Sequence, residues 1–304
     1  MNKIKHGSFQ GTSWSKQGTG SPVILVHGLG MNRQMWQWQM DSLTPHFSVI
    51  CYDLLGHGES VNPEIPCQLS QFSGQLLALM DGLNLESCAL VGFSLGGLIV
   101  QDFVLNHPEK VNALVMLNTA HGRTKSERKA VLARVQQAGE HGPASTVEAA
   151  LERWFSADFS AKNPEILDKI RSWITANDRE IYPEIYRLLA ECDEPMKDSI
   201  SAIRCPTLVM TGEDDHGNSP EMTERMAALI PDARAVILPG LKHMGLAENS
   251  RAVNSQLVSF FQEVWNQQTS SRRKIQNENR QTNHWWATDH KWSSIDIIES
   301  SARR

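Results

Sequence analysis

Gly92-Phe93-Ser94-Leu95-Gly96 lies between a short apolar run, Ala89-Leu90-Val91, and a longer one, Gly97-Leu98-Ile99-Val100-Gln101-Asp102-Phe103-Val104-Leu105. The first run has the length of a strand and the second that of a helix. A serine flanked by glycines between strand and helix predicts a sharp, strained turn that exposes the serine hydroxyl. Only small residues at 92 and 96 let the two elements pass so closely. A pentapeptide of this composition arises by chance in roughly one chain in ten of this length. Its position between strand and helix, and its neighbours on both sides, give it weight.

Upstream, Val23-Ile24-Leu25-Val26 is continuously apolar, as a parallel strand buried on both faces would be. It runs into His27-Gly28-Leu29-Gly30, a loop of the kind that sets a backbone N–H beside a nucleophile. The next run, Val49-Ile50-Cys51-Tyr52, ends in Asp53-Leu54-Leu55-Gly56-His57-Gly58-Glu59-Ser60. Three motifs in this order, each closing an apolar strand, resemble the α/β-hydrolase family over about residues 20–265. The resemblance implies an α/β fold: a mostly parallel sheet flanked by helices, with a helical cap inserted after the sixth core strand.

Composition narrows the class further. The chain has 304 residues and a net charge of −5, which offers no electrostatic footprint for nucleic acid or an anionic membrane. No apolar run approaches the ~20 residues needed to span a bilayer. The start, Met1-Asn2-Lys3-Ile4-Lys5-His6-Gly7, lacks the apolar segment of a signal peptide. Five cysteines, at 51, 67, 88, 192 and 205, are odd in number and widely spaced, without a CxxC. The expectation is a reduced, cytoplasmic protein with neither a disulfide framework nor a zinc site.

After the strand-like Ala113-Leu114-Val115-Met116-Leu117, the pattern from Asn118 to about Arg204 is helical only. Asn163-Pro164-Glu165 predicts a helix start with Asn as cap, and Ile166, Leu167, Ile170, Trp173 and Ile174 then share one face. Strands resume at Pro206–Thr211 and Ala235–Leu238, and a last helix carries Val253, Leu257, Phe260, Phe261 and Val264 on one stripe. The expected organisation is a hydrolase core over 1–118 and 205–267, a helical cap over 119–204, and a tail over 268–304. That tail is polar, with seven Lys/Arg against four Asp/Glu, and its Trp285, Trp286 and Trp292 follow no sustained amphipathic pattern, which predicts disorder.

A serine hydroxyl needs a base, and the base needs an anion to orient it. In this family the chain order is serine, acid, histidine. Ser94 is the candidate nucleophile. Of the late histidines, His216 and His243, only His243 follows the last strand, where the resemblance places the base. The acid is expected after the strand ending at Thr211, where Glu213, Asp214 and Asp215 stand in a row. The family spacing selects Asp215, with Asp214 as runner-up. The backbone N–H groups of Leu29 and Leu95 are the candidate oxyanion donors. No second cluster of oxygen ligands accompanies the acidic loop, so neither metal nor cofactor is expected.

Other residues receive structural readings. His27 is expected to anchor its loop by hydrogen bonds, Asp53 and His57 to belong to a structural turn, and Trp36, Trp38, Met31, Met35 and Met40 to pack. Ser94, where an aspartate would signal alkyl-halide or epoxide chemistry, points to a small-molecule ester, lactone or thioester. In the cap, Ala133-Arg134-Val135, Gly139, Gly142 and Glu152-Arg153-Trp154-Phe155 resemble 3-oxoadipate enol-lactonases, as do Leu29-Gly30 and Met35-Trp36. Those lactonases carry Asn-Ser where this chain has His27-Gly28. Arg134, Arg153 and Trp154 are the candidate substrate-binding residues, the arginines for a carboxylate. A carbon–carbon hydrolase or acyltransferase on the same triad, and a ligand-binding receptor or scaffold, are the alternatives.

Overall fold

The computed structural model describes residues 3–267; the tail expected over 268–304 lies outside them. The chain divides into two units at Phe260/Phe261. In the second, residues 261–267 are helical, with the Phe261 and Trp265 rings 5.3 Å apart.

The first unit is built on one eight-stranded sheet in the order β1-β2-β4-β3-β5-β6-β7-β8. Its strands are β1 (Lys5–Phe9), β2 (Thr12–Gln17), β3 (Pro22–Val26), β4 (Ser48–Tyr52), β5 (Cys88–Phe93), β6 (Val111–Leu117), β7 (Thr207–Gly212) and β8 (Ala233–Leu238). From β4 to β8 every pairing is parallel, with Val23 opposite both Val49 and Ala89. The apolar runs at 23–26, 49–52, 89–91 and 113–117 are buried throughout, as strands covered on both faces must be. The fold class matches the expectation from the motifs.

The hairpin β1–β2, antiparallel both within itself and to β4, was not anticipated from the sequence. Its residues are mostly polar, and its turn is made by Gln10 and Gly11 at φ of 47° and 76°. A two-residue turn with both centres at positive φ is the one that matches strand twist.

Helices α1 (Gln37–Leu43), α2 (Leu69–Gly82) and α3 (Leu95–Asn106) join the first strands. Between β6 and β7 the described chain is helical, with α4 (Lys125–His141), α5 (Val147–Trp154), α6 (Ala157–Lys162), α7 (Pro164–Thr175), α8 (Ile181–Glu191) and α9 (Asp193–Met196). Then come α10 (Pro220–Leu229), α11 (Gly245–Glu248) and a helix over 250–267. In α7, Ile170, Trp173 and Ile174 are buried as the spacing predicts. Asn163 holds the cap position, but its side chain donates to the Phe159 carbonyl at 2.9 Å instead of accepting from α7. The preceding helix α6 ends there, and the Phe159 carbonyl in its last turn accepts both the backbone N–H of Asn163, at 3.0 Å, and its side-chain amide.

Strand order reverses between β3 and β5, because β4 lies on one side of β3 and β5 on the other. In an open parallel sheet the crevice at the carboxyl ends of such strands is where ligands bind. The loops after β3, β5, β7 and β8 carry Leu29, Ser94, Asp215 and His243.

Candidate active site

Ser94 sits at φ 54°, ψ −112°, a region that residues with a side chain rarely occupy. The turn is fixed from several sides. The Ser94 N–H donates to the Leu117 carbonyl at 2.9 Å. A Cβ on Gly92 would overlap the Gly96 carbonyl, and one on Gly96 would overlap that of Val26. Both flanking glycines are therefore required by close backbone approach, as the motif predicts. Leu95 is the first residue of α3, so its N–H has no partner within the helix and lies at the positive end of the helix dipole.

The loop after β3 approaches Ser94 closely: a Cβ on Gly28 would come within 2.9 Å of the Phe93 ring and 3.3 Å of the Ser94 Cβ. Gly30 N–H donates to Nε2 of His57 at 3.0 Å, and Met31 N–H to the Gly28 carbonyl at 3.2 Å. His27 anchors the same loop, since its Nε2 accepts the Leu54 N–H at 2.9 Å. Leu29, between these tethered residues, lines the cavity with Ser94.

Of the three consecutive acids, Glu213 and Asp214 are exposed and Asp215 is buried. Asp215 Oδ2 lies 2.7 Å from Nδ1 of His243. The same oxygen accepts from Asn118 Nδ2 at 2.9 Å, while Oδ1 accepts the N–H groups of Gly217 and Asn218, each at 3.1 Å. Burial alone would raise this carboxyl's pKa. His243 and the hydrogen bonds from Asn118 and Asn218 outweigh burial and hold it below the ordinary carboxylate range. The His243 ring lies against those of Phe93, at 4.9 Å, and Trp154, at 5.7 Å.

Ser94, Asp215, His243 and Leu29 line one cavity of about 500 Å³, whose other wall comes from the helical segment between β6 and β7. Arg134, Arg153 and Trp154 all reach it. Arg134 is half-buried and donates from Nε to the Tyr186 hydroxyl at 2.9 Å. Arg153 remains exposed at the cavity edge, where desolvation and then the nearby Arg134 charge push its guanidinium below its usual range. Phe155 turns away: it is buried and stacks on Phe159 at 5.1 Å.

Several participants were not singled out from the sequence. Asn118 directly follows β6 and is strained at φ 49°. Its place at the carboxyl end of a parallel strand was the available signal. Tyr182 and Tyr186 come from α8, and Arg123 from the segment before α4. Met31, expected only to pack, also lines the cavity. His57 instead lines a smaller pocket with Trp173 and Asn177.

Among the described residues, no three His, Cys, Asp or Glu side chains are grouped to hold a metal ion. None of their helices is long and apolar enough to cross a membrane.

Comparison with known proteins agrees with the fold. The family model described as the alpha/beta hydrolase fold matches residues 21–250. The chain is 31% identical over 247 residues to the (E)-2-((N-methylformamido)methylene)succinate hydrolase of Acinetobacter baylyi, covering 81% of this chain and 92% of that one. It is 33% identical over 193 residues to 3-oxoadipate enol-lactonase 2 of the same organism, covering 64% and 71%. Among solved structures, the enol-lactonase from Burkholderia xenovorans LB400 superposes with a TM-score of 0.78 at 28% identity, covering 85% of this chain and all of that one. With the motifs, the sheet order and the family match in agreement, this chain belongs to the α/β-hydrolase family.

Proposed function

We propose that the protein is a serine hydrolase that opens a small, carboxylate-bearing ester or lactone through an acyl-enzyme intermediate. The observation that carries this reading is the 2.7 Å pairing of Asp215 with His243 in the cavity that Ser94 lines. In this reading Asp215 holds His243 with its proton on Nδ1, which leaves Nε2 free as a base. His243 takes the Ser94 proton as Oγ attacks the substrate carbonyl. The N–H groups of Leu29 and Leu95 receive the oxyanion. The tetrahedral intermediate then expels the alkoxide or enolate, which takes the proton from His243, and water cleaves the acyl-Ser94 ester by the same steps.

The helical segment over 119–204 acts as the cap, and its arginines set the substrate class. Arg134 and Arg153 bring positive charge to the cavity, which Arg123 and Lys242 also line. The names of the two Acinetobacter relatives, a succinate derivative and an oxoadipate enol-lactone, both denote acids, which supports an anionic substrate here.

Intact-mass spectrometry after treatment with a fluorophosphonate tests the mechanism. One adduct is expected on the parent protein and none on Ser94→Ala. Labelling that survives the substitution would sink the serine mechanism.

A further inference from the structure

Arg123 lines the Ser94 cavity while only 6% exposed. One side of it is fully engaged. Its backbone N–H donates to Asp193 Oδ2 at 2.8 Å, and its Nη1 donates to the Leu189 carbonyl at 2.9 Å and to Asp193 Oδ1 at 3.2 Å. Asp193 is also shared with Arg128, whose Nη2 reaches Glu194 at 3.0 Å. Two arginines and two acids thus balance within this cluster.

The other edge of the guanidinium has no protein partner among the described residues. Nε and Nη2 present two parallel N–H bonds along that edge, the arrangement that grips a planar carboxylate. Nε is buried without an acceptor among the described residues. Nη2 makes no hydrogen bond or ion pair among the described residues; the contacts of the guanidinium's outer nitrogens run through Nη1. A buried donor without an acceptor is costly, and such groups in folded proteins are normally completed by water or ligand. Lysine could neutralise Asp193 from this position; the unused fork is what arginine adds.

We infer that the Nε–Nη2 edge of Arg123 receives a carboxylate of the substrate through two parallel hydrogen bonds. The inference rests on reading the Ser94 cavity as the substrate site, and it adds an enclosed anchor to the more open Arg134 and Arg153. The ligand class is a small carboxylic acid derivative. A cluster already balanced in charge accommodates a monoanionic carboxylate more readily than a dianionic phosphate.

Calorimetric titration with succinate and with adipate tests this without requiring turnover, using Ser94→Ala as parent. Saturable binding of at least one diacid is expected, and none of neutral succinamide. Adding Arg123→Lys, which keeps the charge facing Asp193 but removes the fork, should weaken binding about ten- to a hundredfold. Adding Arg134→Gln and Arg153→Gln together should leave a saturable carboxylate site, and this arm decides the matter if the Arg123 variant does not fold. Unchanged affinity in Arg123→Lys would overturn the inference. So would loss of all binding in the Arg134/Arg153 variant, equal binding of succinamide, or no binding of either diacid. Because Ser94 is absent throughout, a failed fluorophosphonate label would refute the serine mechanism and leave this result standing.

Discussion

His27 and His57 clasp the loops after β3 and β4 to each other. His27 Nε2 accepts the Leu54 N–H at 2.9 Å, and His57 Nε2 accepts the Gly30 N–H at 3.0 Å, with the rings edge-on at 5.2 Å. Each Nδ1 lies against a carbonyl, Gly28 at 2.8 Å and Leu55 at 3.0 Å, so each ring holds its proton on Nδ1. The neutral form is therefore the one the fold uses, and the clasp holds the loop bearing Leu29, which lines the same cavity as Ser94.

Burial lowers the pKa of His27 to about 4; burial, then the His27 charge, lowers that of His57 to about 3. An unfolded histidine titrates near ~6.5. Between those values the unfolded chain binds protons that the folded chain refuses, so stability falls as pH drops from ~6.5 toward the folded pKa values. Each such histidine contributes up to about 1.4 kcal/mol per pH unit in this window. Urea midpoints between pH 7.5 and 5 should show the loss. His57→Gln, which keeps an acceptor for Gly30, should have a shallower pH slope than the parent; an identical slope would contradict the assignment of a buried neutral His57.

Asp215→Asn should lower kcat for an ester substrate by about 10⁴, through loss of the anion and of the required His243 tautomer. Asp214→Asn should stay within several-fold of the parent, since Asp214 is exposed. Steady-state kinetics on both variants provides the comparison. The opposite ranking would reassign the acid.

Arg153→Ala or Arg134→Ala should raise KM for a carboxylate-bearing lactone and barely affect a neutral short ester. Losing one charge-assisted hydrogen bond costs about 1.5–3 kcal/mol, or roughly ten- to a hundredfold in kcat/KM. Equal losses on the two substrates would mean that the helical wall had only been destabilised.

Gly96→Ala and Gly74→Ala should move in opposite directions. A Cβ at 96 meets the carbonyls of Val26 and His27, backbone that cannot give way, whereas a Cβ at 74 meets nothing within 4 Å. Overpacking of this kind costs about 1–3 kcal/mol, and it would displace the Ser94 turn. Gly74 lies inside α2, where alanine is worth about 0.5–1 kcal/mol over glycine. Thermal melts should show the two changes with opposite sign.

The sequence by itself determined the frame. Apolar runs of strand length, each ending in a glycine-bearing loop, give the parallel sheet, because strands buried on both faces must be apolar throughout. The glycines at 92 and 96 locate the serine turn, since no Cβ fits there. Local chemistry of this kind can be read along the chain. The β1–β2 hairpin could not be read so easily, because its mostly polar residues carry little hydrophobic signal and its pairing with β4 is long-range. Three adjacent acids are chemically alike in one dimension. Only the folded chain buries Asp215 against His243 and Asn118 and turns Glu213 and Asp214 to solvent. The same holds for the cavity wall, where Arg123, Arg134, Arg153 and Tyr182 come from separate segments. Their meeting depends on the helical phase of each segment and on how the helices pack, and tertiary structure alone decides both.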